Sequence, residues 1–259
     1  MCLLVFAWNR HPRYRVVLAA NRDEFHARPA AAMHWWAEPD ILGGRDLEAG
    51  GAWLAVGRDG RFGVVTNYRD LQGPLRGAPT RGGLIPDFLG GPQSAPRFAG
   101  RLAPQLDRYS GCNLLAGDAA HLLYMANRAP QPARELESGI YGLSNHLLDT
   151  PWPKLVRTRT RFEGLLASAT LASEELLAML TDREPTSNGD AQVDQDGDAP
   201  KLSRELERAL SAPFIVNERY GTRCSTVLFI GYEGAISAHE QRYDSSGRTI
   251  GRDSFEFQA

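Results

Sequence analysis

The sequence has few cysteines, no long apolar run and no excess of either charge. Three cysteines in 259 residues are too few and too scattered for a disulfide framework or a zinc site. A net charge of -2 argues against bulk electrostatic binding to nucleic acid or to an anionic membrane. No run of eighteen apolar residues is present, so no transmembrane segment is expected. These absences favour a cytoplasmic protein whose partner is a small molecule.

Hydrophobic residues make up 42% of the chain, enough to bury a large core. We expect a single domain over residues 1–259. The first twenty residues lack the basic segment that precedes the apolar part of a secretory signal. Within this domain, 184–200 is polar and acidic and is predicted to be a flexible loop.

The acidic loop carries a second possible interpretation, as a calcium site. Asp194, Asp196, Asp198 and Glu205 follow the spacing of EF-hand ligands. Ala199 stands where that loop needs glycine, which favours a solvated loop and no metal site.

The most informative stretch is the N-terminus, where Cys2 precedes an apolar run. If Met1 is removed, Cys2 carries a thiol and a free α-amine on one residue. An α-amine has a pKa of about 7.7–8.0, so at neutral pH part of it is unprotonated and can accept the thiol proton. The alternative is that Cys2 simply begins a buried strand, because cysteine is a common core residue.

A second apolar run, 16–20, ends in the polar cluster Asn21-Arg22-Asp23-Glu24. A strand that returns beside the first would place this cluster next to Cys2. Asp23 would then lie near the ammonium and Arg22 near the thiolate, so we expect the thiol pKa to be lowered.

Two asparagines stand at predicted strand ends. Asn67 follows the strand 62–66, where its amide can complete an oxyanion hole or form a turn. Asn145 lies in the polar tip Ser144-Asn145-His146 and is a second candidate oxyanion donor. His146 is a candidate general base, although a histidine at a loop tip is usually just solvated.

The remaining pattern predicts many short strands and a few helices. The segment 23–39 is interpreted as a loop, and Arg58-Asp59-Gly60-Arg61 as a hairpin turn. The predicted helices are 83–89, 95–107, 153–168, 173–181 and 202–211. Later strands are predicted at 112–116, 121–126, 139–143, 220–230, 235–243 and 254–257.

Seven short motifs, in this order, resemble the NRDE family, of the transport-and-Golgi-organisation-2 type. They are Met1-Cys2, Ala20-Asn21-Arg22-Asp23-Glu24-Phe25, Gly43-Gly44-Arg45-Asp46, Gly51-Ala52-Trp53, Thr66-Asn67-Tyr68, Leu143-Ser144-Asn145 and Gly221-Thr222-Arg223-Cys224-Ser225-Thr226-Val227. The resemblance runs from residue 2 to about residue 245.

That family is in turn similar to the N-terminal-nucleophile hydrolases, which implies an α+β fold, a four-layer αββα sandwich of two antiparallel sheets. The cysteine branch of those hydrolases includes bile-salt hydrolases and penicillin V acylases. The resemblance implies that Cys2 is nucleophile and base and that Asp23 orients its amine. It also implies that Asn67 and Asn145 stabilise the oxyanion and that Arg223 lies near the thiolate. Neighbouring motif residues are the expected binding residues: Asn21, Arg22, Glu24, Tyr68 and His146.

One position departs from those acylases, which carry an arginine three residues before the aspartate. Here that position is Ala20, and the arginine is Arg22. The resemblance therefore leaves open whether Cys2 is active.

Two functions follow as hypotheses. The first is hydrolysis of a non-peptide amide or acyl bond by Cys2, which requires no cofactor. The second is a haem- or lipid-handling role, with haem or acyl-coenzyme A as cargo, because the family is associated with haem trafficking and lipid homeostasis. Candidate haem ligands are the six histidines and three cysteines, among them Cys2 itself and His26 and His34, which lie near the Asn21-to-Glu24 cluster. The Ala-, Arg- and Gly-rich composition favours a bacterial source, without a Golgi to organise.

Overall fold

Two antiparallel sheets organise the protein in a computed structural model that describes residues 2–70, 73, 75–168, 170–186 and 204–259. Most of the predicted acidic loop and three of the four proposed calcium ligands lie outside the described residues. Within them, the first sheet contains β1 (Cys2–Trp8), β2 (Tyr14–Phe25), β10 (Gly139–Ser144), β11 (Tyr220–Gly231), β12 (Ala235–Tyr243) and β13 (Thr249–Gln258). Its strands lie in the order β10-β1-β2-β11-β12-β13.

The second sheet follows chain order from one edge to the other. Over the described chain its strands are β3 (Ala30–Trp35), β4 (Ile41–Asp46), β5 (Leu54–Gly57), β6 (Phe62–Asn67), β7 (Cys112–Gly117), β8 (Leu122–Ala126) and β9 (Ala133–Glu135). Antiparallel neighbours need only short connections, which is why this sheet is a continuous meander.

Helices cover the outer face of each sheet. They are α1 (Leu84–Gly90), α2 (Ala95–Leu102), α3 (Pro153–Leu166), α4 (Ser173–Met179) and α5 (Arg204–Leu210), with 3-10 turns at Arg81–Gly83 and Ala103–Arg108. Of these, α1 and α2 pack on the second sheet, and α3 and α4 pack on the first.

The strands are apolar on both faces because both faces are covered. Along β1, Leu4 and Phe6 point between the sheets and pack with Leu18 of β2 and with Leu42 and Leu115 of the second sheet. Side chains at alternate positions of a strand point to opposite faces.

The intervening β1 residues, Leu3 and Val5, face the other way and pack with Phe162 and Leu176 of the outer helices. Full burial of such a side chain contributes about 1.5–3 kcal/mol. The second sheet has its own outer core with Ile85, Phe88 and Phe98. The layers therefore run helix, sheet, sheet, helix, which confirms the predicted αββα sandwich.

The prediction of a loop over 23–39 was wrong. In the structure β2 continues to Phe25 and β3 occupies Ala30–Trp35. Polar residues of β2 pair with polar residues of β11, as Asp23 does with Thr222, so the strand continues without the apolar pattern that marks its first half.

The helix expected over 95–107 is also shorter than predicted. It ends at Leu102 and continues as a 3-10 turn from Ala103. Pro104 explains the change, because proline has no N–H to donate and its ring clashes with the carbonyl four residues earlier. The hairpin turn at 58–61 is confirmed, with Gly60 at φ 76, a conformation that glycine adopts without strain.

Candidate active site

A cleft of about 140 Å³ opens where several strand ends meet. The first residue of β1, the last residues of β2 and the last residue of β6 all reach it. Its lining is mainly polar and includes one aromatic side chain and a few small or aliphatic ones: Cys2, Arg22, Asp23, Glu24, Arg28, Asp46, Ala49, Gly51, Ala52, Trp53, Val65, Asn67, Thr80, Arg81 and Gly82.

Cys2 lies at the start of β1, half-buried, directly opposite Arg22 of β2. Its main-chain N–H donates a hydrogen bond to Oδ1 of Asn145 at 3.2 Å. The thiol accepts a hydrogen bond from the main-chain N–H of Asp23. Strand pairing thus brings Cys2 to the polar end of β2, as the sequence predicted.

Asn145 follows β10 in a left-handed conformation with φ 42, and only 3% of the residue is exposed. While Oδ1 accepts from Cys2, Nδ2 donates to the main-chain oxygen of Asn67 at 2.9 Å. The carbonyl of Asn145 accepts from the N–H of Arg69 at 2.7 Å. Asn145 therefore connects β1 to the second sheet through hydrogen bonds of its side-chain amide with Cys2 and Asn67.

The lowered thiol pKa expected for Cys2 after removal of Met1 stays a prediction, and the chain that carries Met1 shows the opposite shift. Burial raises the pKa of this thiol above its ordinary value, and the nearby Asp23 carboxyl raises it further. The terminal ammonium, the N–H of Asp23 and the charge of Arg22 lower it, but burial outweighs them. The thiol is therefore neutral at neutral pH and needs a base to become a nucleophile.

Asp23 is 3% exposed and lies in a dense set of hydrogen bonds. Oδ1 accepts a 2.6 Å hydrogen bond from Thr222, whose hydroxyl in turn accepts from the N–H of Ile215. The main-chain carbonyl of Asp23 accepts a hydrogen bond from the hydroxyl of Tyr220. Burial raises the pKa of this carboxyl, although the terminal ammonium, Thr222 and the buried Lys154 all lower it.

Asn67 ends β6 and lines the cleft across from Cys2. Its main-chain oxygen is held by Asn145, whereas its side-chain amide makes no hydrogen bond to any residue that the structure describes. An amide with its donors open toward a cleft can donate to the oxygen of a bound carbonyl group.

Several predicted site residues lie outside this cleft. Nδ2 of Asn21 donates to the carbonyls of Leu180 and Pro213, and Oδ1 accepts from Ser225, so this residue holds the outer layer. Arg223 donates to the carbonyls of Phe25 and Arg28 and lines a neighbouring cavity instead.

His146 and Tyr68 lie against each other, with ring centroids 4.9 Å apart. Nδ1 of His146 pairs with the hydroxyl of Thr150 at 2.8 Å. Neither residue lines the cleft. Glu24, by contrast, does line it, and its carboxylate accepts a hydrogen bond from the N–H of Phe25.

Comparison with known proteins places the chain among established relatives. The family model described as transport and Golgi organisation 2 matches residues 1–245. The transport and Golgi organization protein 2 homolog of Bos taurus is 34% identical over 260 residues, covering 93% of this chain and 92% of that protein. The Homo sapiens homolog is 32% identical over 263 residues, with the same coverage.

The chain belongs to the transport and Golgi organisation 2 family. Among solved structures, the Caenorhabditis elegans ortholog of N-acylethanolamine-hydrolyzing acid amidase superposes with a TM-score of 0.52 at 9% identity. The match covers 88% of this chain and 92% of that one. This likeness confirms the N-terminal-nucleophile hydrolase fold that the motifs predicted.

In this member of the transport and Golgi organisation 2 family, the structure shows how the two positions at which the sequence differs from the acylases, Ala20 and Arg22, are placed. Ala20 and Arg22 are two residues apart on one strand, so their side chains point to the same face. Arg22 is the one opposite Cys2, and its guanidinium is one of the positive charges that lower the pKa of the thiol.

Sequence reasoning missed several residues that line the cleft. Arg28 forms an ion pair with Asp46 at 2.6 Å. Burial alone would raise the pKa of Asp46, but this contact and the main-chain N–H donors outweigh burial and lower that pKa. Thr80, Arg81 and Gly82 directly precede the helix predicted near 83–89, where no site residue was predicted. The adjacent glycines at 82 and 83 are the only local signal, and they do not indicate which wall the turn approaches.

The described residues contain no group of three or more His, Cys, Asp or Glu side chains arranged to hold a metal ion. No described helix is both long enough and apolar enough to cross a membrane.

Proposed function

We propose that this protein hydrolyses a non-peptide amide or acyl bond with Cys2 as nucleophile, after removal of Met1. The observation that carries the proposal is the hydrogen bond from the Cys2 nitrogen to Asn145, at the edge of a cleft that the free amide of Asn67 also lines. Removal of Met1 turns this nitrogen into an α-amine that Asn145 already holds.

The chemistry follows from the positions of these groups. The α-amine, with an ordinary pKa of about 7.7–8.0, accepts the proton of the neutral thiol. Sγ then attacks the carbonyl carbon, and the oxygen takes up the negative charge and accepts a hydrogen bond from Asn67. Collapse of this intermediate breaks the C–N or C–S bond, and the ammonium gives its proton to the leaving group.

The resulting thioester at Cys2 is cleaved by water. The amine accepts a proton from the water, the hydroxyl oxygen bonds to the acyl carbon, and Sγ leaves and recovers a proton from the ammonium. Asp23 is the positioning residue, because its buried carboxyl balances the ammonium that forms in both steps.

The solved relative supports the scaffold for this chemistry. That protein is named as a hydrolase of N-acylethanolamines, which are amides, and at 9% identity the likeness speaks only for the fold. The names of the animal relatives refer to transport and Golgi organisation, and they do not specify a reaction.

Intact mass spectrometry tests the proposal. The expected result is loss of Met1 and a single covalent adduct at Cys2 after treatment with an electrophilic amide analogue. Cys2→Ser should give no adduct, and Cys112→Ser should label like the natural protein, since Cys112 is fully buried. Retention of Met1, or labelling that persists in Cys2→Ser, would contradict the proposal.

Haem or lipid handling stays a second prediction. Nε2 of His26 pairs with the carbonyl of Asn217, Nδ1 of His34 pairs with that of Ala32, and neither residue lines the cleft. If cargo binds through Cys2, haem titration followed at the Soret band should fail in Cys2→Ser. If Cys2 is only a nucleophile, Cys2→Ser should lose turnover of acyl amides or acyl-coenzyme A and keep the haem titration unchanged.

A further inference from the structure

Arg81 is a half-buried cation in the cleft without a carboxylate partner among the described residues. Its Nη1 donates to the carbonyl of Gly111 at 3.1 Å. The other two arginines of the cleft are compensated, since Arg22 and Arg28 contact Asp46 at 3.6 and 2.6 Å. The cleft therefore contains one guanidinium whose charge the described protein does not neutralise by direct contact.

The position of Arg81 is fixed by a close approach of two backbones. The carbonyl of Gly82 accepts a hydrogen bond from the N–H of Ala52 at 3.1 Å. A Cβ placed on Gly51 would lie 2.3 Å from the carbonyl carbon of Gly82, so the contact requires glycine. The turn that carries Arg81 is thus held against the same segment that supplies Trp53.

This placement has an electrostatic cost that a ligand can offset. Burial lowers the pKa of Arg81, because a half-buried guanidinium has lost part of its hydration. The carboxylate of Glu24 acts in the opposite direction through its negative charge. An anionic group placed against the guanidinium would form the charge-assisted, two-point hydrogen bonds that arginine favours with carboxylate and phosphate.

A small recess adjoins the cleft at Cys2. It is largely apolar, has a volume of about 10 Å³ and is lined by Cys2 with Leu3, Leu4, Trp53 and Val64. A volume of about 10–15 Å³ holds a single water-sized group. The recess is therefore too small for an acyl chain, and the space for a substrate is the cleft of about 140 Å³.

We infer that Arg81 binds an anionic group of the substrate, so that this site takes a small amide or thioester bearing a carboxylate or a phosphate-type group. This inference rests on the proposed function for the bond that is cleaved.

Three matched probes test the inference: N-acetylglycine, its neutral amide N-acetylglycinamide, and N-acetyl-aminomethylphosphonate. The natural protein should prefer both anionic probes over the neutral one in kcat/KM. Arg81→Met should reduce this preference tenfold or more, chiefly through KM, and Arg81→Lys should recover part of it. The relative size of the carboxylate and phosphonate preferences distinguishes the two anion types.

Arg15→Met is the matched control. Arg15 is also half-buried and also donates one hydrogen bond to a carbonyl, that of Ala119 at 3.0 Å, but it does not line the cleft. Its substitution should leave the preference for anionic probes unchanged. An equal loss in both variants would mean that Arg81 acts through stability alone and would overturn the inference.

Binding to Cys2→Ala, followed by NMR line broadening of each probe, separates this inference from the proposed function. Tighter binding of the anionic probes that Arg81→Met abolishes, without any turnover by the natural protein, would support the anion site and contradict hydrolysis. Turnover with equal affinity for neutral and anionic probes would support hydrolysis and overturn the role of Arg81. Absence of both turnover and binding would overturn both.

Discussion

Arg22 lies directly opposite Cys2 in the pairing of β1 with β2, and its guanidinium carbon stands 4.2 Å from the centre of the Trp53 ring. The arginine side chain is only 6% exposed. A cation stacked on an aromatic face and shielded from water keeps its charge close to its neighbours. Arg22 is therefore placed to act on the Cys2 thiol from the adjacent strand.

We expect Arg22→Met to raise the pKa of the Cys2 thiol further, because it removes one of the charges that counteract burial. Alkylation of Cys2 by iodoacetamide should then shift to higher pH, as measured by peptide mass spectrometry over a pH series. Arg45→Met is the matched control, since Arg45 stacks 4.6 Å from the centre of the Trp36 ring, outside the cleft. An identical pH profile in Arg22→Met and the natural protein would show that this charge does not reach the thiol.

Asp23→Asn should change the way stability depends on pH. Burial raises the pKa of Asp23, so the unfolded chain ionises first as the pH rises from about 3.8. The natural protein therefore loses stability from this group through that window, and Asp23→Asn does not lose it. Between pH 4 and pH 7, the free energy of unfolding of Asp23→Asn should therefore rise relative to that of the natural protein.

Urea unfolding at both pH values measures this difference, with Met1 in the same state in both proteins. A difference independent of pH would mean that Asp23 titrates as a solvated carboxyl. Asp23→Ala should be less stable at every pH, by about 1–3 kcal/mol, because it leaves the buried hydroxyl of Thr222 without its acceptor.

The pairing of β1 with β2 could be predicted from the sequence, whereas the contacts between the two sheets could not. Two apolar runs with a polar end sufficed to place Arg22 and Asp23 beside Cys2, because neighbouring antiparallel strands pair locally. The contact of Asn145 with Asn67 joins residues 78 apart on different sheets, and no local pattern specifies it. The same applies to Arg81, whose position depends on packing of Gly82 against Gly51.

Electrostatics were the other limit of sequence reasoning. A count of the charges near Cys2 takes no account of burial, which raises the thiol pKa in the chain that carries Met1, and burial follows from the assembled layers. Arg223 shows a related effect. The pairing register of β11 with β2 shifts between Thr222 and Cys224. Arg223, which lies at this irregularity, therefore does not follow the alternation of side chains along the strand, and it donates a hydrogen bond to the carbonyl of Phe25 at the end of β2.

Cys112 provides a test of buried thiol energetics away from the nucleophile. Burial raises the pKa of its thiol from 9.0 to about 11. The unfolded chain therefore loses this proton before the folded protein, and stability falls as the pH rises from 9 to 11. Two pKa units correspond to roughly 2–3 kcal/mol.

In Cys112→Ala, the loss of stability between pH 9 and pH 11 should be smaller by that amount, as measured by urea unfolding at each pH. The comparison is the change with pH within each protein, because removal of the buried thiol also lowers stability at neutral pH. Parallel curves for the variant and the natural protein would show that Cys112 ionises as readily in the folded state as in the unfolded chain.

Asn145 offers the sharpest separation of site chemistry from folding, because its backbone has φ 42. Asn145→Gly removes the hydrogen bonds to Cys2 and to Asn67 and keeps a residue that adopts this conformation without strain. Asn145→Ala removes the same bonds and adds strain of about 1–2 kcal/mol.

We therefore expect both variants to lose Cys2 adduct formation to a similar extent, since both release the nitrogen that is the proposed base. Only Asn145→Ala should show the additional loss of stability, measured by thermal unfolding. His146→Ala, next along the chain but outside the cleft, is the control for adduct formation. Normal Cys2 labelling in Asn145→Gly would mean that the amine finds its position without Asn145, and the main support for the proposed nucleophile would be lost.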